Sequence, residues 1–133
     1  MGVVSTETLP VKSEPDMVAV RRRVREVSAH LGFGIVDQTK VVTAASELAR
    51  NTIIYGGGGD MKVETLNGPR IGLRITFEDK GPGIPDLELA LKDGFTSGSG
   101  MGLGLGGSKR LVHDFEISSR IGEGTKVTIT RWK

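Results

Sequence analysis

The amino-acid sequence predicts an α+β sandwich, in which helices cover one face of a mixed β-sheet. Hydrophobic periodicity places the elements in the order helices, strands, helix, strands, without the strict alternation of a βα protein. A chain of 133 residues is long enough to bury a core, and we expect residues 1–133 to form a single domain. Glycine accounts for 20 residues, roughly double the usual ~7%, and it clusters between the periodic segments as loops do.

The N-terminal half is expected to contain an edge strand followed by two helices. The first dozen residues alternate weakly between apolar and polar side chains. Ser13–Asp16 is a helix-start pattern, with a hydroxyl, an early proline and acidic residues, and apolar residues then recur at steps of three and four as far as Leu31. A second helix should run from about Val36 to about Tyr55. It should end at Gly56–Gly59, because glycine adopts the left-handed cap conformation without strain.

The C-terminal half is expected to consist mainly of strands. A short helix after Pro85 and a longer one ending near His113 should interrupt them, with a glycine-rich stretch over residues 94–107 before the second helix. The last two strands should form a hairpin around a Gly-Glu-Gly turn. The four expected strands are Met61–Leu66, Ile71–Asp79, Phe115–Ile121 and Thr125–Trp132.

Composition excludes several classes of function. Cysteine is absent, which rules out disulfides and thiolate metal sites and favours a cytosolic protein. No apolar run approaches the ~18 residues of a membrane span, and the N-terminus lacks the basic start and apolar core of a signal peptide. A net charge of +2 and 5% aromatic residues offer little for nucleic acid. We therefore expect a cytoplasmic protein that binds neither nucleic acid nor membrane.

The second predicted helix carries a candidate catalytic pair in the stretch SELARN. Glu47 and Asn51 are four residues apart, so their side chains share one face of the helix, and Thr43 lies one turn earlier. A carboxylate and an amide oxygen in this arrangement can activate a hydroxyl or a water and can bind a hard cation. A solvated polar stripe is the alternative interpretation of the same spacing.

A second candidate site lies in the stretch EDKGPGIPD. Asp79 ends a predicted strand, and Gly81 and Gly83 follow it. A buried carboxylate there can accept a hydrogen bond from the exocyclic amine of adenine, whereas guanine would present an acceptor and be rejected. The two glycines lack the Cβ atoms that would keep a ring away from the backbone. An ordinary Asp-x-Gly turn is the alternative.

A third candidate site is the stretch GSGMGLGLGGSKR, residues 98–110. Glycines before a helix expose backbone N–H groups that bind phosphate together with the helix dipole. Leu103 and Leu105 can hold this loop against a core. The stretch also imitates a dinucleotide fingerprint and a P-loop, but no strand precedes it and it has Gly-Ser-Lys where a P-loop has Gly-Lys-Ser. A loop without ligand is the alternative.

In their order and spacing, the three stretches resemble the motifs of the GHKL (Bergerat-fold) ATPases. That superfamily contains DNA gyrase, a heat-shock chaperone, histidine kinases and a mismatch-repair protein. The stretch GEGTKVTI is similar to the Gly-x-Gly-Thr segment of the same superfamily. The stretches LGFGIVDQTKVVTAASELARN, EDKGPGIPD and GSKRLVHDFEI resemble more closely the RsbT-type serine/threonine switch kinases of the bacterial stressosome, from about Val18 to Trp132.

The resemblance implies an ATP- and Mg²⁺-dependent serine/threonine kinase that phosphorylates STAS-domain partners, the stressosome scaffold and an antagonist. A downstream phosphatase activated by binding is a further implied partner. Glu47 would be the general base, Asn51 the Mg²⁺ ligand and Asp79 the residue that fixes adenine. The implied nucleotide-binding residues are Asn51, Asp79, Gly81, Gly83, Ile84, Gly100, Met101, Gly102, Leu103, Gly104, Leu105 and Thr125.

Two other functions compete with the kinase. One is a nucleotide-gated, anti-sigma-like module that sequesters a regulator without phosphotransfer; the intact pair of Glu47 and Asn51 argues against it, since a pure binder has no need of a base. The other is the catalytic fragment of a histidine kinase, although no dimerisation helix pair is evident. The arginines of the first helix form either a solvated surface or a docking site for an acidic partner.

Overall fold

A five-stranded sheet with two long helices on one face confirms the predicted α+β sandwich. The computed structural model describes residues 2–84 and 105–133, so the helix expected after Pro85 lies outside the described residues. In chain order the elements are β1 (Gly2–Val11), α1 (Glu14–His30), α2 (Ile35–Ile54), β2 (Gly59–Asn67), β3 (Gly72–Asp79), α3 (Leu105–Arg110), β4 (Asp114–Arg120) and β5 (Gly124–Trp132).

The strand order across the sheet is β1-β2-β3-β5-β4. The sheet was expected to be mixed, but each of its four described pairings is antiparallel. β4 lies at the far edge, and β5 turns back in a hairpin and fills the position between β3 and β4. Strands β1, β3 and β4 therefore run in one direction and β2 and β5 in the other, and no two strands of the same direction are neighbours.

The core lies between the helices and one face of the sheet, because both kinds of element place apolar residues at their own period. α1 buries Val20, Val24 and Val27 along one stripe. On the sheet, alternate residues of β3 point into the same core. The remaining buried apolar residues of α2 and of the sheet include Val41, Ala44, Ala45, Leu48, Ala49, Met61, Val63, Leu73, Ile75, Phe77, Val127 and Ile129.

Glycines end α2, as the sequence predicts. The backbone N–H groups of Tyr55 and Gly56 both donate to the carbonyl of Asn51, at 3.0 and 3.1 Å. Gly57 and Gly58 then adopt positive φ angles of 75° and 102°. These conformations turn the chain directly into β2, so the end of α2 lies beside the end of β3.

A partly buried arginine joins the start of α2 to the sheet. The Arg131 guanidinium, on β5, donates to the Asp37 carboxylate at 2.6 Å and to the carbonyl of Leu111 at 2.9 Å. The hydrogen bond from Arg131 is the main cause that lowers the pKa of Asp37. One side chain therefore connects α2, β5 and the segment that follows α3.

The outer face of the sheet carries polar side chains that pair across strands. The Arg74 guanidinium donates to both oxygens of Glu64, at 2.9 and 3.2 Å, and this pair lowers the pKa of Glu64 despite its burial. Lys62 lies 3.9 Å from the same carboxylate. In the described part of the chain, no helix combines the length and the apolar character needed to cross a membrane.

Replacing Glu64 by Gln should reduce the acid sensitivity of the fold. The pKa of Glu64 is lower in the folded state than in the unfolded state, where it is near 4.5. Ionised Glu64 therefore stabilises the fold at pH values above that unfolded-state pKa. That contribution is lost as the pH falls through the folded-state pKa. Glu64→Gln should lower the free energy of unfolding by about 1 kcal/mol at pH 7 and flatten its decline on acidification.

Urea unfolding between pH 3 and 7 measures both effects, with Glu123→Gln as a control because that carboxylate is exposed and 4.0 Å from its arginine. If the free energy of unfolding of Glu64→Gln declined on acidification as steeply as that of the unaltered chain, the stabilising role of ionised Glu64 would be contradicted.

Candidate active site

A cavity of about 230 Å³ opens between the last turns of α2 and the ends of β3 and β5. Its walls are largely apolar, and its polar groups come from few residues. It brings together six residues that the sequence singled out from separate motifs. These residues are Asn51, Asp79, Gly83, Ile84, Leu105 and Thr125.

Asp79 is held in a fixed orientation at the end of β3. Its Oδ1 accepts hydrogen bonds from the backbone N–H groups of Gly81, at 2.9 Å, and Thr125, at 3.3 Å. Among residues 2–84 and 105–133, no donor reaches its Oδ2. The carboxylate therefore offers one oriented acceptor to a ligand in a largely apolar cavity.

The glycines next to Asp79 allow main chains to pack closely. A Cβ atom on Gly56 would lie 2.4 Å from the Cγ of Asp79, and one on Gly81 would lie 2.7 Å from the Cα of Gly56. Gly81 does not line the cavity. The backbone N–H of Gly81 donates to Asp79, and the residue packs against the end of α2. Gly83, in contrast, borders the cavity itself.

A hydroxyl pair fixes the loop after Asp79 to the β4–β5 hairpin. Ser119 Oγ accepts from the backbone N–H of Ile84 at 2.8 Å and lies 2.8 Å from Oγ1 of Thr125. The N–H of Gly122 donates to the carbonyl of Pro82 at 2.9 Å. Sequence analysis did not identify Ser119, whose only signal is that it lies opposite Thr125 in the hairpin.

The sequence analysis also did not predict most of the apolar residues that line the cavity. Phe77 and Val127 are directly paired across β3 and β5, each two residues from a predicted site residue. Their sequence signal was that of ordinary core positions. The lining residues not predicted are Leu48, Ile54, Tyr55, Gly56, Phe77, Pro82 and Val127.

Glu47 lies outside this cavity, in an adjacent depression of about 590 Å³ between α2 and α3. We call this depression the α2–α3 groove. Thr43 shares it, as expected for residues one helical turn apart. Its lining residues are Lys40, Thr43, Glu47, Gly107, Ser108, Arg110 and Leu111. The predicted residues Gly100, Met101, Gly102, Leu103 and Gly104 lie outside the described residues.

The chemistry of the cavity suits a flat ring that carries a hydrogen-bond donor. Apolar side chains from helix and sheet can cover its faces, and Asp79 can accept its edge donor. Asn51 provides an amide group in the same cavity. In the described ranges, no group of three histidine, cysteine or acidic residues could hold a metal ion without help from a ligand.

A family model supports this interpretation. The model described as "Histidine kinase-, DNA gyrase B-, and HSP90-like ATPase" matches residues 36–133. The chain belongs to this ATPase family. The match covers all the predicted site residues, and the predicted membership of the superfamily is confirmed.

Comparison with individual relatives shows to which group within the ATPase family the chain belongs. The chain is 45% identical over 123 residues to the serine/threonine-protein kinase RsbT of Bacillus subtilis (strain 168), which covers 92% of each sequence. It is 31% identical over 126 residues to the anti-sigma F factor of Thermoanaerobacter sp. (strain X514), covering 91% of this chain and 87% of that protein. Within the ATPase family, the chain thus belongs to the RsbT-type serine/threonine protein kinases, as predicted.

Solved structures agree on the fold. The RsbU and RsbW domains of a Mycobacterium tuberculosis protein match with a TM-score of 0.64 and 21% identity, over 97% of this chain and 33% of that longer one. The mycobacterial sensor histidine kinase MprB matches with a TM-score of 0.57 and 22% identity, over 96% and 97% of the two chains.

A comparison of two glycines with similar φ angles distinguishes the cost of a strained backbone from the cost of a steric clash of the added Cβ atom. Gly57 and Gly83 have φ of 75° and 81°, but a Cβ on Gly57 meets nothing within 4 Å, whereas one on Gly83 would lie 2.4 Å from the carbonyl oxygen of Arg120. Gly57→Ala should cost about 1–2 kcal/mol of stability, from the left-handed conformation alone. Gly83→Ala should cost roughly 3 kcal/mol or more. Urea unfolding compares the two variants, and equal losses would show that the loop relaxes away from β4.

Proposed function

We propose that this chain binds Mg-ATP in the cavity and transfers the γ-phosphate to a serine or threonine of a STAS-domain partner. The setting we propose is cytoplasmic, a partner switch of the bacterial stressosome, with residues 1–133 acting as a single kinase domain. The proposal depends above all on Asp79, whose Oδ1 is held by two backbone N–H groups in an apolar cavity. Membership of the RsbT-type kinases supports it.

Adenine would be bound by shape and by one hydrogen bond. The Asp79 Oδ2 would accept from the exocyclic amine, while Phe77 and Val127 provide apolar surface. Gly83 and Thr125 would border the ring, and the hydroxyl pair of Ser119 and Thr125 would keep that border in place. A carboxylate held in this way discriminates strongly against a ring that presents an acceptor.

The residues of the cavity also fit a nucleotide-bound Mg²⁺. Asn51 offers an amide oxygen, and Mg²⁺ is commonly bound by one or two protein ligands together with phosphates and waters. Mg²⁺ supplies neutralisation of phosphate charge when bound. The backbone N–H groups of Gly100, Gly102 and Gly104 are proposed to bind the phosphates.

Glu47 is proposed as the general base. It lies one helical turn before Asn51, in the groove that adjoins the nucleotide cavity. From there its carboxylate would orient the acceptor hydroxyl and take its proton as the hydroxyl oxygen bonds to the γ-phosphorus. The bond from that phosphorus to the β–γ bridging oxygen breaks in the same step, and ADP leaves. Phosphoryl transfer requires chiefly positioning and charge neutralisation, so one base and a fixed nucleotide are enough.

The proposed partners are STAS-domain proteins, namely the stressosome scaffold and an antagonist. A downstream phosphatase would be activated by binding instead of phosphorylation. Similarity to an anti-sigma F factor supports a role in binding a regulator. The alternative function is a nucleotide-gated module that sequesters its partner without transferring phosphate.

Replacing Asp79 by Asn should abolish nucleotide binding and preserve the fold. The Asn carbonyl can still accept from the N–H groups of Gly81 and Thr125, but its amide places a donor where Oδ2 was. The dissociation constant for ATP should rise at least about 100-fold. Calorimetric titration with ATP measures the effect, with Glu78→Gln as a matched control because Glu78 is exposed. Equal affinity in Asp79→Asn and the unaltered chain would refute the role of Asp79.

Replacing Glu47 by Ala should leave ATP binding intact and stop phosphotransfer, because the residue lies outside the nucleotide cavity. Labelled γ-phosphate from Mg-ATP is followed onto candidate STAS-domain proteins, and the rate should fall at least about 100-fold. Full transfer by the variant would exclude Glu47 as the base. ATP-dependent co-elution without any transfer by the unaltered chain would establish the sequestering module instead.

A further inference from the structure

A row of three polar side chains crosses the sheet at the edge of the cavity. Asp79 on β3 lies directly opposite Thr125 on β5, and Thr125 lies directly opposite Ser119 on β4. Residues that lie directly opposite each other in neighbouring strands point to the same face of the sheet. We call Asp79, Thr125 and Ser119 the polar row.

The polar row interrupts an otherwise apolar surface. The two rows before it on the same face of these three strands consist of apolar residues, namely Ile75, Ile129 and Phe115, and then Phe77, Val127 and Ile117. A polar side chain on a core-facing surface is costly unless it is hydrogen-bonded. The members of the polar row meet this requirement by bonding to one another and to nearby backbone. The row therefore marks the place where the core face becomes a recognition surface.

Thr125 connects the two outer members of the row. Its backbone N–H donates to Asp79 Oδ1 at 3.3 Å, and its Oγ1 lies 2.8 Å from Ser119 Oγ. Asp79 and Thr125 line the cavity, whereas Ser119 lies behind Thr125 and does not line it. Any effect of Ser119 on a ligand in the cavity must therefore pass through another residue.

The hydrogen bonds of Ser119 determine what Thr125 offers to a ligand. Ser119 Oγ accepts from the Ile84 N–H, and it can give its single proton to Thr125 Oγ1 at 2.8 Å or to the carbonyl of Gly124 at 3.2 Å. Hydrogen bonds between oxygens usually span about 2.5–3.0 Å, so Thr125 is the better placed acceptor. When Ser119 donates to it, the proton of the Thr125 hydroxyl is left for a ligand. The cavity then presents a donor beside the acceptor of Asp79.

We propose that Ser119 is a positioning residue for adenine. It orients the Thr125 hydroxyl as a donor toward the ring nitrogen next to the exocyclic amine, directly or through one water, while Asp79 accepts from the amine. The edge of adenine carries this pair of groups, a donor amine and an acceptor nitrogen, side by side. The inference rests on the proposed function, since it takes the cavity as the adenine site.

Replacing Ser119 by Ala should raise the dissociation constant for Mg-ATP about tenfold in calorimetric titrations. Ser118→Ala is the matched control, because Ser118 is the preceding residue of the same strand and is exposed. Ser119→Thr keeps the hydroxyl on a residue that suits a strand, and should bind ATP within about twofold of the unaltered chain. Unchanged affinity in Ser119→Ala, an equal loss in Ser118→Ala, or a Thr variant as weak as the Ala variant would overturn the proposal.

An ATP analogue separates this role from simple support of the loop, since Ser119→Ala also removes the acceptor for the Ile84 N–H. The analogue is 1-deaza-ATP, which keeps the amine and has a C–H in place of the adjacent ring nitrogen. If Ser119 acts through Thr125, Ser119→Ala should weaken binding of ATP about tenfold and of the analogue less than about twofold. An equal loss for both nucleotides would reduce Ser119 to a structural residue and overturn the proposal.

Phosphotransfer kinetics provide a further criterion. Ser119→Ala should raise KM for ATP and leave kcat at saturating ATP unchanged, because the polar row acts on the base and not on the transferred phosphate. A fall in kcat with unchanged KM would contradict the proposal.

The same titrations distinguish this inference from the proposed function. ATP binding without transfer by the unaltered chain would refute the kinase mechanism, while the comparison of ATP with 1-deaza-ATP would still decide the role of Ser119. Equal affinity of the unaltered chain for ATP and GTP would refute the adenine site and this inference together. Tight, adenine-specific binding that Ser119→Ala leaves unchanged would refute this inference alone.

Discussion

The close packing of main chains around the end of β3 is the constraint on which the rest of the structure depends. A Cβ on Gly59 would lie 2.0 Å from the carbonyl oxygen of Glu78, and one on Gly124 would lie 2.1 Å from that of Asp79. A Cβ on Gly56 would lie 2.4 Å from the Cγ of Asp79. The end of α2, the start of β2 and the β4–β5 turn thus meet at two residues of β3. Side chains at these glycines would push the three segments apart and open the cavity.

α2 is held at both ends, and its functional residues lie between the two attachments. At its start, Asp37 is bonded to Arg131 of β5. At its end, Gly56 packs against Asp79. Glu47 and Asn51 therefore keep a defined position relative to the sheet, although neither is itself on a strand. The long helix acts as a rigid support that spaces the proposed base and the proposed Mg²⁺ ligand one turn apart.

Local patterns in the sequence were sufficient to predict most of the described helices and strands and to single out several residues that the structure brings together in one cavity. The spacing of Glu47 and Asn51 depends only on the helical period, and Asp79 and Thr125 mark the ends of strands that local periodicity already identifies. The antiparallel order of the sheet and the hydrogen bond from Ile84 to Ser119 depend instead on how segments distant in sequence pack together, which no local pattern specifies. The placement of Glu47 in a groove apart from the nucleotide cavity likewise follows from the packing of α3.

The contacts of the arginines of α1 likewise could not be predicted from local sequence patterns. They were predicted as a solvated surface or a docking site. The structure pairs Arg23 with Glu7 of β1 at 2.5 Å, and Arg25 donates to Gln38 of α2 at 3.3 Å. Part of this basic face is thus used to attach α1 to its neighbours. Such pairs join residues far apart in sequence, so the charges alone could not identify them.

The position of α3 between the cavity and the groove has a thermodynamic consequence. One wall of six residues borders both the cavity and the groove, so a shift of α3 that improves the fit of a ligand in the cavity alters the shape of the groove. Linkage then requires reciprocity: whatever factor a ligand in the cavity imposes on affinity in the groove, a ligand in the groove imposes on affinity in the cavity. A partner that prefers one nucleotide state of this protein must, to the same degree, stabilise that state.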